Sequence, residues 1–275
     1  MAAVSMAAIK ELRERLGAGM TDSKNALIEA EGDIEKAIEI LRLKGLKGVA
    51  KREGRSASEG LIAVTEGAGA ATMIDLACET DFVAKNEKFI ALGDVVLEAV
   101  AAAGAADLEA ALAAPAGDKT VADIIVDESA ILGEKIELRR VARVEGEKFE
   151  TYLHRTSKDL PPQVGVVVAF SGDDSETARA IAQHISFADP LYVSRDDVPE
   201  AEVEKERSLV TEIAKNEGKP EAALPKIIEG RLNGFYKNVA LLEQDYARDN
   251  KQSVKQVAET AGIAITGFAR FKVGV

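Results

Sequence analysis

A length of 275 residues predicts about two domains, and 47% apolar with 30% charged residues is an ordinary globular composition. One cysteine excludes an intrachain disulfide framework or a multi-cysteine metal site, and two histidines, His154 and His184, argue against a histidine-built one, so neither metal nor cofactor is expected. The net charge of −12 divides into +2 up to Arg55 and −14 beyond it, so most of the chain would repel a phosphate backbone, and a protein or small-molecule partner is favoured over nucleic acid.

No apolar run reaches the roughly 18 residues of a membrane span. The segment Met1 to Ile9 is too short and too weakly basic for a secretory signal, so a cytoplasmic protein with no membrane contact is expected. From Ser5 the chain reads as three short helices. Ser5 caps the first, Ile9, Leu12 and Leu16 recur at helical spacing, and Gly17-Ala18-Gly19 ends it. The second runs from about Thr21 to Ala30. Asp33 caps the third, with Ile34, Ala37, Ile38 and Leu41 on one face. Arg42 to Arg55 follows as a basic linker, read either as a solvated helix extension or as a hinge. Within it, Gly45-Leu46-Lys47-Gly48 has the GxxG form that KH domains use on nucleic-acid backbones. The KH strand order is absent around it, so the pattern carries no weight.

From Gly60 the period changes. Leu61 to Val64 and Ala71 to Ala77 read as strands joined by Gly67-Ala68-Gly69. Helices are predicted over Phe89–Ala103 and Leu108–Ala113, then a strand over Lys135–Val144. A second strand-rich unit starts near Phe149, with a buried-type run at Gly165–Phe170, a helix over Glu176–Ala188 and a final strand over Ile263–Val273. Two such blocks predict two α+β units. Between them, Pro199 opens a helix with Val203, Val210 and Ile213 on one stripe. After Gly218-Lys219-Pro220, the positions Leu224, Ile228, Leu232, Phe235, Val239 and Leu242 alternate by three and four. This pattern predicts an antiparallel coiled-coil hairpin inserted into the second unit.

No nucleophile-elbow, metalloprotease or phosphate-loop pattern is present. Cys78 reads as a small buried thiol, and a Cys78–His184 pair lacks any supporting signature. His154, at a strand end, reads as a surface histidine available for contact. The segment Glu79 to Glu87 lies between a strand and a helix. There, Thr80 or Asp81 can cap the helix while Phe82 packs inward as a staple. Alternatively, Asp81 and Phe82 protrude together, a charge beside a large apolar ring. The residues alone leave both arrangements open.

The run Thr80-Asp81-Phe82-Val83-Ala84-Lys85-Asn86 resembles the signature of the elongation factor Ts family, guanine-nucleotide exchange factors for elongation factor Tu. Leu12 to Met20, Lys24 to Leu27, Gly32-Asp33, Leu41 to Gly45, Gly133 to Ile136, Arg139 to Ala142, His184-Ile185, Ser194 to Val198 and Thr266 to Phe271 are similar to further family motifs in the same order. The resemblance implies an α+β protein with four parts. These are an N-terminal three-helix ubiquitin-associated-like domain with the basic linker (1–55), a core N-subdomain (56–146), a core C-subdomain (147–196 and 243–275) and the inserted coiled-coil hairpin (197–242). It implies exchange without covalent chemistry, in which Asp81 and Phe82 enter beside the partner's nucleotide site and help dislodge magnesium. Thr80, Val83, Lys85 and Asn86 belong to the same contact. Lys10, Arg13 and Met20 are implied contacts to the partner's GTP-binding domain, and His154 to a β-barrel domain. Thr21 follows Met20 where the family often has a second methionine. A scaffold or chaperone-like binder of elongation factor Tu without exchange activity is the alternative, and a homodimer or 2:2 complex stays open.

Overall fold

A computed structural model describes residues 5–16 and 20–275; the side chains of residues 14–16, 46, 47 and 50 are not described. The expected helix end at Gly17-Ala18-Gly19, and the Leu16 side chain, therefore lie outside the described residues. The first three helices are α1 (Met6–Leu16), α2 (Met20–Glu29) and α3 (Ile34–Arg52). Both expected caps form. The Ser5 hydroxyl accepts from the Ala8 N–H at 3.0 Å, and the Asp33 carboxylate accepts from the Lys36 N–H at 3.1 Å. Ile9, Leu12, Ala26, Leu27, Ala37 and Ile38 form the shared core of the three helices.

The basic stretch after Arg42 is helix rather than hinge, because α3 continues to Arg52 and lies along α7 (Val121–Leu132). Gly45 makes this approach possible. A Cβ there would sit 2.7 Å from the Ala130 Cβ, so this glycine of the GxxG run is a packing residue inside the helix. Arg52 then donates to the Ser129 carbonyl at 3.0 Å.

The strands β1 (Glu59–Gly67), β2 (Ala70–Cys78) and β5 (Ile136–Glu145) form an antiparallel sheet in the order β1-β2-β5. The β1–β2 hairpin closes at Ala68-Gly69, where Gly69 supplies a φ of +81° that a side chain would resist. Helices α4 (Asp81–Ala84), α5 (Glu87–Ala103), α6 (Leu108–Ala113) and α7 cover one face. They bury Phe89, Leu92, Val96 and Val100 against Leu61, Ile74 and Leu76. Two short strands, β3 (Pro115–Ala116) and β4 (Lys119–Thr120), precede α7.

The second sheet has the order β10-β7-β6, from β6 (Lys148–His154), β7 (Val164–Ser171) and β10 (Ala264–Lys272). Its core packs Val166, Val168 and Phe170 against Ile181 and Ile185 of α8 (Ser175–Ala188), with Val254 and Ala258 of α11 (Val254–Thr260). The small hairpin β8 (Asp245–Tyr246) and β9 (Asp249–Ser253) closes this side. The two sheets face each other through Ala71, Val144, Val167 and Ala169. At their seam Asp75 is fully buried and receives two hydrogen bonds from Arg140, at 2.9 and 2.7 Å. Burial pushes the Asp75 carboxyl up, and Arg140 opposes that. Arg140 also donates to the Lys272 carbonyl at 2.6 Å, joining β2, β5 and the end of β10.

Between the two halves of the second unit stand α9 (Glu200–Asn216) and α10 (Leu224–Val239), joined by a turn and packed on each other. Pro199 is the residue before α9 rather than its first. Val203 is half-buried and Val210 buried as expected, whereas Ile213 is 39% exposed and Ala214 takes the buried place at the end of the stripe. α10 ends at Val239, short of the expected Leu242, and Leu241 is fully buried in the second core. Tyr192 and Val193 accept from the N–H groups of Leu241 and Leu242, which fixes the base of the helix pair.

Candidate functional site

The turn from β2 into α4 is assembled by one helix cap and two carboxylates. Thr80 is the N-cap of α4, and its hydroxyl accepts from the Val83 N–H at 3.4 Å. Capping belongs to Thr80, and Asp81 is the first helical residue, where a negative charge complements the helix N-terminus. Glu134, in the connection between α7 and β5, accepts from the N–H groups of Glu79 and Thr80 at 3.1 and 3.0 Å and from the Thr80 hydroxyl at 2.5 Å. In return the Glu79 carboxylate accepts from the Lys135 N–H at 2.7 Å and pairs with Arg55 at 3.2 Å. Sequence reasoning placed Glu134 in a family motif but not in the site; its partners are more than fifty residues away in the chain, so no local pattern marks it.

On this base α4 is amphipathic over one turn. Val83 and Ala84 point into the first core, and Phe82 points out, 73% exposed. The inward staple for Phe82 is therefore overturned: Phe89, on α5, fills the core position instead. Val83, expected in the same contact, is buried and packs into the first core. Lys85 pairs with Asp81 at 3.1 Å, and its ammonium lies 4.5 Å from the Phe82 ring centroid. An acid, an aromatic ring and a cation are thus presented together on one turn. Asn86 caps α5 by accepting from the Lys88 N–H at 2.9 Å, which fixes where the protruding turn ends.

The other expected contacts lie elsewhere. Lys10 and Arg13 are exposed on α1, and Met20 is exposed at the start of α2. His154 is exposed at the end of the edge strand β6, its Nδ1 3.1 Å from the Tyr152 hydroxyl. It shares a groove with Gln183, Phe187, Arg248 and Arg270, and Phe187 is 65% exposed there. The structure does not gather these residues with the Phe82 turn; they sit on separate elements.

The remaining reactive groups are internal. Cys78 is buried, donates to the Thr80 carbonyl at 3.3 Å, and burial pushes its thiol far up, which removes it as a nucleophile. His184 is buried in the second unit. Its Nε2 donates to Gln244 Oε1 at 2.8 Å, and its Nδ1 accepts from the Ala247 N–H at 3.3 Å, so the ring is neutral. Burial holds its pKa below the ordinary value, against a smaller upward pull from Gln244. The two residues have different partners and do not form a pair. Among the described residues no group of three or more His, Cys, Asp or Glu could hold a metal ion, and no helix is long and apolar enough to cross a membrane.

The family model described as elongation factor TS matches residues 79–275, beginning at the protruding turn. The chain belongs to the elongation factor Ts family. It is 72% identical to elongation factor Ts of Clavibacter sepedonicus over 274 residues, covering all of both chains. The identity to elongation factor Ts of Leifsonia xyli subsp. xyli is 68% over 275 residues, and to that of Micrococcus luteus 56% over 277, again with full coverage. The mixed helix and sheet architecture is consistent with that family.

Proposed function

We propose that the chain is a guanine-nucleotide exchange factor for elongation factor Tu, acting through the Asp81–Phe82 turn. The observation that carries this reading is the 73% exposure of Phe82 on a turn whose neighbours are buried and hydrogen-bonded. A large ring held in water by a rigid base is a surface that gains on burial in a partner. Burying it supplies about 1.5–3 kcal/mol. That free energy drives exchange only if it is realised better in the nucleotide-free partner than in the GDP-bound one. By linkage, GDP then weakens the factor by the same ratio. Asp81 brings a carboxylate to the same place, where it competes for the partner's magnesium or its ligands. Loss of the cation removes a large favourable interaction with the diphosphate. A guanine nucleotide then rebinds and expels the factor.

In this reading α1 to α3 are a ubiquitin-associated-like domain whose Lys10, Arg13 and Met20 touch the partner's GTP-binding domain. His154 and its groove meet a β-barrel domain, and α9–α10 are the inserted coiled-coil hairpin. The setting is the cytoplasm, with a homodimer or a 2:2 complex with elongation factor Tu as the assembly. The test is release of labelled GDP from elongation factor Tu with and without the chain. Acceleration at substoichiometric chain is expected. Binding without acceleration would give the scaffold reading instead.

A further inference from the structure

The base of the turn joins three parts of the molecule. Glu134 accepts three hydrogen bonds from Glu79 and Thr80, and the Ser129 hydroxyl donates to the Glu134 carbonyl at 2.5 Å. The Ser129 carbonyl in turn accepts from Arg52, and Arg55 pairs with Glu79 while its own carbonyl accepts from Lys135 Nζ at 3.3 Å. The end of α3, the α7–β5 corner and the β2–α4 turn therefore share one polar clasp, with Glu134 at its centre. Each carboxylate bonds the other segment's backbone: Glu134 holds residues 79–80, and Glu79 holds residue 135. Charge-assisted bonds of this kind are stronger than neutral ones and restrict direction as well as distance.

We propose that Glu134 is a positioning residue for exchange: it fixes the turn that presents Phe82 and ties that turn to the helices carrying Lys10, Arg13 and Met20. The inference rests on the reading of Phe82 as the element that enters the partner. A turn free to rotate would pay an ordering entropy on docking that the clasp removes beforehand. Half-buried and away from the exposed face of α4, Glu134 acts through Phe82 rather than by touching the partner.

The experiment measures GDP release from elongation factor Tu·GDP at saturating chain with Glu134→Ala, Glu134→Gln, Phe82→Ala and the double variant Phe82→Ala/Glu134→Ala. Losing the charge-assisted bonds should slow Glu134→Ala by about tenfold. Glu134→Gln keeps an acceptor for the two N–H groups and should recover most of that loss. The double variant should be slower than Phe82→Ala by much less than the loss in Glu134→Ala alone, because most of that loss acts through the same presented ring. Amide hydrogen exchange at Glu79 and Thr80 should quicken in Glu134→Ala while the rest of the chain keeps its protection. If Glu134→Ala does not fold, Glu134→Asp keeps the charge and the Thr80 cap but draws the carboxylate back by one methylene from residues 79 and 80, and is read in the same way. A wild-type rate for Glu134→Ala beside a slow Phe82→Ala would overturn the positioning role alone. A double variant as slow as the product of the single losses would also overturn it. A wild-type rate for Phe82→Ala would take down the reading of the turn and the positioning role together.

Discussion

Each α+β unit contains a matched pair of side chains, one buried and one exposed, and the pairs behave in opposite ways from their residue types. In the first unit Phe82 and Phe89 stand seven residues apart, each just inside a capped helix, yet Phe82 is 73% exposed and Phe89 fully buried. In the second unit His184, polar and titratable, is 3% exposed, whereas His154 stands in water at the end of β6. Local grammar is the same for both phenylalanines. What separates them is the sheet: α5 lies across β1 and β2 and turns Phe89 into the core, whereas α4 is one turn long and covers the sheet with only Val83 and Ala84. A large apolar residue left exposed by such a short, well-anchored element is informative in a way that its sequence context is not.

The largest effect expected from breaking this contrast is at Phe89. Phe89→Ala should destabilise the chain by about 3–5 kcal/mol through the cavity it leaves. Chemical denaturation checks this; a loss below about 1 kcal/mol would mean the core can close over the site. Asp81→Asn sharpens the contrast from the exposed side. Thr80 is the cap and the Asp81–Lys85 pair is exposed, so stability should change by less than about 0.5 kcal/mol. Stimulated GDP release should fall most at high magnesium and converge with wild type at very low magnesium. Parallel curves with a constant offset would leave Asp81 a docking role and remove the competition for the cation.

The smallest effect is at His184. Its folded pKa lies below the ordinary 6.5, so the unfolded chain binds the proton first as pH falls. Stability from the neutral ring is therefore complete above about pH 6.5 and is lost as pH falls toward the folded pKa. His184→Gln should flatten this part of the stability profile, measured by denaturation between about pH 7 and 5. An unchanged slope would assign the titration to another group.

Much of the fold was legible because its signals are local. Ser5 and Asp33 caps, the Gly-containing turn between β1 and β2, and the apolar runs of β7 and β10 each act over a few residues. α7 and α11 were missed, although each carries a reciprocal cap, Thr120 with Asp123 and Ser253 with Gln256. Their apolar stripes are short and interrupted, so helical periodicity is weak while the cap is strong. The run of α3 through Gly45 stayed open between helix and hinge for a different reason: the close approach to Ala130 that this glycine admits comes from a distant helix and leaves no local pattern. At the site, the signature segment was visible but the direction of Phe82 was not. That direction depends on Glu134 and on the reach of the first sheet, both set by contacts across more than fifty residues.

Stimulated GDP release by Phe82→Ala, with the unfolding midpoint taken on the same sample, tests the central claim most directly. The account predicts release slowed roughly tenfold to a hundredfold, the rate equivalent of burying one phenylalanine ring, with the midpoint unchanged. A wild-type rate, or a fall in the midpoint like that of Phe89→Ala, would contradict it and return Phe82 to a structural role.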